Sequence, residues 1–247
     1  MKRTIGIIII ATILAQAAIA QKQTTEVNAI WLAYFNQTRF SDKWGLWVDV
    51  HLRTKEDFVD DLATFIARAG LTYYLNDNAK LTAGYGFINH FPQEGHTNVS
   101  RPEHRPWQQV QWHNKYPRTK MMQYIRLEER YRRKVLNNDQ LADGYNFNYR
   151  VRYNLFFSPA IGNKPFAPRT FSFIANDELH INFGKEVVNN YFDQNRLFLG
   201  FGYHTNATDQ LQFGYMNIFQ QLPAGNRYRS THALRLFYSH NIDARKK

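Results

Sequence analysis

The chain has 247 residues and contains no cysteine. The chain therefore folds without disulfides, and a lipid anchor attached to a cysteine is excluded. No apolar run beyond residue 20 is long enough for a membrane-spanning helix. Low-complexity tracts, heptad repeats and long amphipathic helices are missing, as are the G-x-S-x-G, phosphate-loop and paired-cysteine motifs. The sequence therefore carries no recognised catalytic signature, and most of its information lies in its strands.

The first twenty residues predict an export signal that is removed. Lys2 and Arg3 precede an apolar segment over residues 5–13, and Ala18-Ile19-Ala20 forms a cleavage site of small residues. We expect cleavage after Ala20, which leaves one domain over residues 21–247. Removing Lys2 and Arg3 lowers the formal net charge from +11 to +9. This excess suits a basic interior and favours contact with anionic lipid, lipopolysaccharide or anionic solutes.

Residues 145–157 alternate between two kinds of side chain. The even positions from Asn146 to Asn154 are all asparagine or arginine, whereas the odd positions are aromatic or aliphatic. Successive side chains of a strand point to opposite faces, so this segment predicts a strand with one polar and one apolar face. Its length is about twice that of a typical strand in a soluble protein.

Candidate strands of this kind follow one another along the whole chain. Residues that favour turns separate them, among them asparagine, aspartate, serine and proline. Tight and longer connections alternate, as in outer-membrane barrels with short periplasmic turns and longer outer loops. The candidates number eleven, but bacterial barrels usually have an even number of strands. We therefore expect that one strand is missed or merged and that the barrel has ten or twelve. The candidates are 27–37, 43–54, 62–75, 80–91, 106–116, 121–133, 144–157, 170–183, 195–205, 210–221 and 231–242.

The number of bulky side chains decides which face points outward. About fifty of them lie on the apolar faces, which is too many for the interior of a closed barrel. We therefore expect an all-β protein, an antiparallel up-and-down transmembrane β-barrel of about 10–12 strands, with residues 243–247 in the periplasm. A secreted, soluble β-sandwich that acts as a binding protein is the alternative fold.

Several short motifs resemble one known family. They are Trp31-x-x-Tyr34, the run from Ser41 to Val50 with Arg53, Arg126-x-Glu128-Glu129-Arg130, Asn176-Asp177-Glu178 and Phe192-Asp193-Gln194-Asn195-Arg196. On these motifs, nearly the whole chain after the export signal resembles the bacterial outer-membrane proteins of domain of unknown function 2490. The resemblance implies an outer-membrane β-barrel of a Gram-negative bacterium. It implies no activity and no catalytic residues.

Charged residues recur on the polar faces of the candidate strands. A narrow barrel would bring them together in its interior, where guanidinium and carboxylate groups would pair because an unpaired buried charge is costly. The residues predicted to form this interior ladder are Asp49, Arg53, Arg68, Arg126, Glu128, Arg130, Arg150, Arg152, Glu178, His180, Arg196 and Arg235.

Three functions remain open for such an interior. The charges can be structural, they can line a small pore that favours anions, or Glu128, Glu178 and His180 can serve an enzyme that acts on lipid or lipopolysaccharide. We expect Glu128 and Glu178 to remain ionised, because arginines surround them. A general acid needs the protonated form, so we favour a structural barrel or a pore and predict no catalytic residue.

The longest predicted loop, residues 92–105, and its flank contain five possible zinc ligands. Their spacing does not support a preformed site, and a solvated loop explains them equally well. No metal or cofactor is therefore predicted. The five residues are His90, Glu94, His96, Glu103 and His104.

Aromatic side chains make up 16% of the chain, and many fall toward strand ends. Rings with a polar tip favour the interface between membrane and water, so the aromatic side chains toward strand ends are predicted at the two interfaces. They are Trp44, Trp47, Tyr73, Tyr74, Phe91, Trp107, Trp112, Tyr116, Tyr145 and Tyr203. The expected partners are outer-membrane lipid and lipopolysaccharide and, during insertion, the barrel-assembly machinery. Nucleic acid is not expected, because the exported chain has no recognisable binding motif. The solute is not predicted.

Overall fold

The chain folds into a closed barrel of eleven strands. The computed structural model describes residues 22–55, 58, 61–163 and 166–245, so the predicted export signal and its cleavage site lie outside the described residues. No helix in these ranges is long and apolar enough to cross a membrane. The strands are β1 (Gln23–Arg39), β2 (Trp44–Lys55), β3 (Asp61–Tyr74), β4 (Ala79–His90), β5 (Arg101–Tyr116), β6 (Thr119–Val135), β7 (Leu141–Pro159), β8 (Thr170–Phe183), β9 (Phe192–His204), β10 (Asp209–Gln221) and β11 (Arg227–Asp243).

Each strand pairs with its neighbours in sequence, and β1 closes the barrel on β11. All sequential pairs are antiparallel, but β1 and β11 run parallel, from Gln23 beside Arg227 to Arg39 beside Asp243. The parallel pair follows from the odd number, because the first and eleventh strands of a meander point the same way. The expected barrel is confirmed, whereas the expected even number is wrong. The sandwich alternative is also wrong, because one sheet closes on itself.

The connections divide the barrel into two different ends. The turn end carries four connections of no more than four residues, one longer connection and the end of β11. The loop end carries the start of β1 and longer connections. The first residue of β1 and the last residue of β11 therefore lie at opposite ends of the barrel. Between described strands, the connections at the turn end are 40–43, 75–78, 117–118, 160–169 and 205–208, and those at the loop end are 56–60, 91–100, 136–140, 184–191 and 222–226.

Strand β5 begins five residues earlier than predicted. Pro102 and Pro106 lie within it, although proline lacks the N–H that a sheet uses and usually marks the end of a strand. The register with β6 passes from His104 beside Tyr131 directly to Trp107 beside Glu128, so the pairing is interrupted around Pro106. The predicted loop is therefore shorter, and Glu103 and His104 belong to the barrel wall.

The outer wall of the barrel is apolar. On β7, Tyr153 and Phe157 are 40% and 42% exposed, whereas Arg150 and Arg152 on the other face are buried. Large exposed apolar surfaces are rare on soluble proteins. On a membrane barrel, lipid covers such a surface. Exposed members of this wall include Leu32, Leu46, Leu71, Leu81, Ile125, Phe171, Leu179, Leu197, Leu199, Phe201, Phe213, Leu234 and Leu236.

Glycines on the inner face make room for buried rings. Gly84 and Gly200 each face another glycine across a strand pair. A Cβ on either would lie 2.3 Å from a carbonyl oxygen of the adjacent strand, and within 2.8 Å of the ring of Trp107 or Phe198. Trp107 is therefore inside the barrel and fully buried, so its predicted place at a membrane interface is wrong.

Candidate functional site

Alternation along the strands places a dense set of charges inside the barrel. Five carboxylates are at most 6% exposed, and seven arginines are buried beside them. The carboxylates are Asp49, Glu103, Glu128, Glu178 and Asp193, and the arginines are Arg68, Arg105, Arg126, Arg130, Arg150, Arg152 and Arg235.

Glu128 on β6 lies at the centre of this set. Its Oε2 accepts from Nη2 of Arg150 at 2.5 Å, and its Oε1 accepts from Nη1 of Arg152 at 2.7 Å. Arg105 approaches Glu128 to 3.5 Å, and Arg126 to 4.0 Å. Such paired, hydrogen-bonded burial is the condition under which a charge persists inside a protein.

The same arginines continue the pairing to other strands. Arg152 also contacts Glu178 at 2.5 Å, Arg150 contacts Asp193 at 2.8 Å, and Arg105 contacts Glu103 at 2.6 Å. Each of these arginines therefore bridges Glu128 to a second carboxylate. We refer to Arg105, Arg130, Arg150 and Arg152 with Glu103, Glu128, Glu178 and Asp193 as the ion-pair ladder, in which Arg130 holds Glu103 at 2.7 Å.

Glu178 and His180, two of the three residues considered for catalysis, are in contact at 2.9 Å. Oε1 of Glu178 also accepts from the Tyr124 hydroxyl and from Arg152, and its Oε2 lies 3.3 Å from Arg196. Both carboxylate oxygens are therefore occupied by donors. This arrangement fixes the side chain and gives no specific support to an enzyme.

Asp49 and Arg68 form a separate group with a separation of 2.8 Å. Asp49 also accepts hydrogen bonds from His51 at 2.8 Å and from the indole of Trp47. Trp47 is 6% exposed, so its predicted place at a membrane interface is wrong as well. Its N–H points to a buried carboxylate, a use that the sequence pattern alone does not reveal.

A cavity of about 780 Å³ runs through the interior. Its lining extends from Thr25 near the loop end to Asn241 near the turn end. The lining contains two lysines, Lys55 and Lys120, and only two carboxylates, Glu94 and Glu178, because the other buried carboxylates are covered by their arginines. Twelve arginines line it: Arg53, Arg68, Arg101, Arg105, Arg126, Arg130, Arg132, Arg150, Arg152, Arg196, Arg229 and Arg235.

Two of the predicted ladder residues have no carboxylate partner within 4.0 Å among the described residues. The guanidinium of Arg53 instead lies over the ring of Trp31, 3.8 Å from its centre. That of Arg235 lies 4.0 Å from the ring centres of both Phe198 and Phe237. The structure therefore divides the predicted residues between the ladder, the Asp49 group and a wall of aromatic rings.

The aromatic wall belongs to an apolar cluster that the sequence analysis did not foresee. A membrane barrel was expected to have a polar interior throughout, but the inner faces of β1 and β8 to β11 also carry apolar side chains. The buried members of this cluster are Ala29, Trp31, Ile174, Phe198, Met216, Ile218, Ala233 and Phe237.

Three members of the ladder were also missed. Glu103 was assigned to a loop, Arg105 fell just before the candidate strand, and Asp193 lay before the predicted start of β9. The alternation of Glu103, Arg105 and Trp107 already indicates a strand. Pro102 and Pro106 concealed it, because proline argues against a strand interior.

The residues considered for zinc do not converge. His90 pairs with Glu103 at 3.0 Å, Nδ1 of His96 contacts the carbonyl oxygen of Val99 at 2.7 Å, and Glu94 contacts Arg227 at 3.4 Å. In the part of the chain that the structure describes, no three histidine, aspartate or glutamate side chains could hold a metal ion together.

Comparison with known proteins bears out the resemblance seen in the motifs. A family model described as "Protein of unknown function (DUF2490)" matches residues 28–229. No curated protein matches the chain. A solved structure described as "NanC porin structure in rhombohedral crystal form" shares 14% sequence identity, with 77% of this chain and 87% of that chain covered and a TM-score of 0.44.

Proposed function

Because the chain belongs to the family described as Protein of unknown function (DUF2490), which names no activity, we propose a function from the barrel interior. The protein forms a narrow pore in the outer membrane that favours anions over cations. The predicted export signal and the apolar outer wall support this location. The basic composition of the cavity wall supports the preference for anions.

One observation carries the proposal: the cavity presents twelve arginines and two lysines against two glutamates. The ladder arginines neutralise the buried carboxylates, while cavity arginines such as Arg53, Arg132 and Arg235 have no carboxylate within 4.0 Å among the described residues and leave the wall with an excess of positive charge. Rings of basic side chains favour anions in pores, and walls of low dielectric constant strengthen their field. The lining also extends toward both ends of the barrel, as a path for a solute requires.

A planar-bilayer measurement tests the proposal. In a potassium chloride gradient, the purified barrel should give discrete openings whose reversal potential shows chloride to be more permeant than potassium. The double variant Arg132→Gln plus Arg229→Gln should lower this ratio by about twofold or more, because two basic groups leave the cavity wall. Neither arginine has a carboxylate partner within 4.0 Å among the described residues, so the ladder is left intact.

Arg133→Gln is the matched control. Arg133 follows Arg132 on β6 but lies on the other face of the strand, 3.8 Å from Asp143. Its removal should leave the permeability ratio unchanged. If folded barrel is inserted in the bilayer and no conductance is measured, the proposed pore is refuted and a purely structural barrel is favoured. Cation selectivity, or an equal effect of the control, would overturn the role of the cavity arginines.

A further inference from the structure

Three neighbouring strands place one tryptophan between two arginines, with one arginine on each side. In register, Trp31 on β1 lies beside Arg53 on β2 and beside Arg235 on β11. Arg196 reaches the same indole from β9, with its guanidinium carbon 5.1 Å from the ring centre. All four side chains line the cavity. The guanidinium groups of Arg53 and Arg196 thus lie against the indole of Trp31, and Arg235 is its register partner on the adjacent strand.

This cluster has too few acceptors for its charge. Glu178, at 3.3 Å from Arg196, is the one carboxylate within 4.0 Å of the three arginines among the described residues. The side chain of Arg53 makes no hydrogen bond to a described residue, and the buried Nε atoms of Arg53, Arg196 and Arg235 have no acceptor. Buried donors and like charges without partners are costly, so the cluster is suited to an added anion.

An apolar surface adjoins the cluster. The guanidinium of Arg235 packs between Phe198 and Phe237, and Met216 and Ile218 continue the same buried cluster along the cavity lining. Chloride or acetate would use the charge and leave this surface without a partner. A ligand with both an anionic group and an apolar body would use both parts.

We propose that the lumen contains a binding site for a small amphipathic carboxylate. Its carboxylate group lies against Arg53 and Arg196, where a planar guanidinium can donate two parallel hydrogen bonds. Its apolar body packs on Trp31, Phe198 and Met216. The cavity volume of about 780 Å³ is in the range of small-molecule sites. This inference rests on the proposed preference for anions and not on conduction.

Calorimetry on the folded barrel in detergent tests the site, with cyclohexanecarboxylate as the probe and empty micelles as the blank. The probe should bind with one site per barrel, and acetate should bind at least about tenfold more weakly because it lacks the apolar body. Arg53→Gln should weaken binding of the probe by about ten- to a hundredfold, the usual contribution of a charged hydrogen bond. Arg133→Gln, which removes an arginine from the other face of β6, should leave it unchanged.

Arg53→Gln should fold, because no described carboxylate depends on Arg53, and heat-modifiable migration on gels can verify this. Trp31→Leu is a second variant, which keeps the three arginines and should also weaken binding of the probe. Equal affinity for acetate and the probe would overturn the amphipathic site while leaving the anion pore intact. Absence of binding, or binding insensitive to Arg53→Gln, would overturn it outright. Binding without bilayer conductance would keep the site and refute the pore.

Discussion

Replacing Glu128 by glutamine removes the central charge of the ion-pair ladder without changing its size. Three arginines lie within 3.5 Å of this carboxylate: Arg105, Arg150 and Arg152. Loss of one partner from a buried ion pair costs about 3–5 kcal/mol. Each arginine here retains a second carboxylate, so we expect a loss near the lower limit, about 3 kcal/mol in the free energy of unfolding.

Urea titration of the barrel in detergent or lipid vesicles measures this loss as a lower midpoint at unchanged slope. Glu129→Gln is the matched control, because Glu129 follows on the same strand, points to the other face and has no ion pair within 4.0 Å among the described residues. Its free energy of unfolding should change by less than about 1 kcal/mol. Unfolding of Glu128→Gln at the wild-type midpoint would refute the structural role of the ladder. Loss of a measurable activity at unchanged stability would favour an enzyme instead.

A second substitution measures how far the ladder is coupled. Arg150→Gln in the Glu128→Gln background removes one of the arginines that have lost a partner, which should restore some stability. Arg150 also holds Asp193 at 2.8 Å, and the next arginine, Arg130, is 4.0 Å from that carboxylate. The restoration should therefore be small, about 1 kcal/mol in a double-mutant cycle. Additive losses would show that the two side chains act independently.

Three further predictions concern the wall and the ends of the barrel. Leu236→Arg on the outer face should lower the free energy of unfolding in lipid vesicles by about 2–4 kcal/mol. Ser239→Arg on the inner face of the same strand should lower it by less than about 1 kcal/mol, and equal losses would contradict the assignment of faces. Gly200→Ala should destabilise the barrel by about 1–3 kcal/mol in urea titration, more than Gly86→Ala, whose nearest contacts are side-chain atoms. A peptide tag in the 136–140 loop should bind antibody on intact cells, and a C-terminal tag only after permeabilisation; the reverse result would invert the barrel.

Much of the fold could be read from local patterns. The alternation over residues 145–157 predicted both the strand and its faces, because side-chain direction in a strand has a period of two residues wherever the strand lies. All eleven strands were found in this way. Turn residues such as Asn76, whose side chain accepts from the backbone N–H groups of Asn78 and Ala79, marked the ends because their hydrogen bonds are local.

The pairing inside the barrel could not be read in the same way. Which arginine meets which carboxylate depends on the register between strands and on side chains that reach across to strands that are not neighbours. Arg150, for example, contacts Glu128 on the adjacent β6 but also Asp193 on β9. Neither contact has a signature in the spacing of residues along the chain.

Local sequence patterns predict the all-β class, the strands and the faces of each strand, since these depend on side chains a few residues apart. The closure of eleven strands through a parallel pair, the burial of Glu103 and Trp107 inside the barrel, and the division of the interior into a charged wall and an apolar one became visible only in the folded barrel. Closure and register are properties of the whole sheet. They bring Trp31 beside Arg235, residues more than two hundred positions apart, and no local pattern contains that proximity.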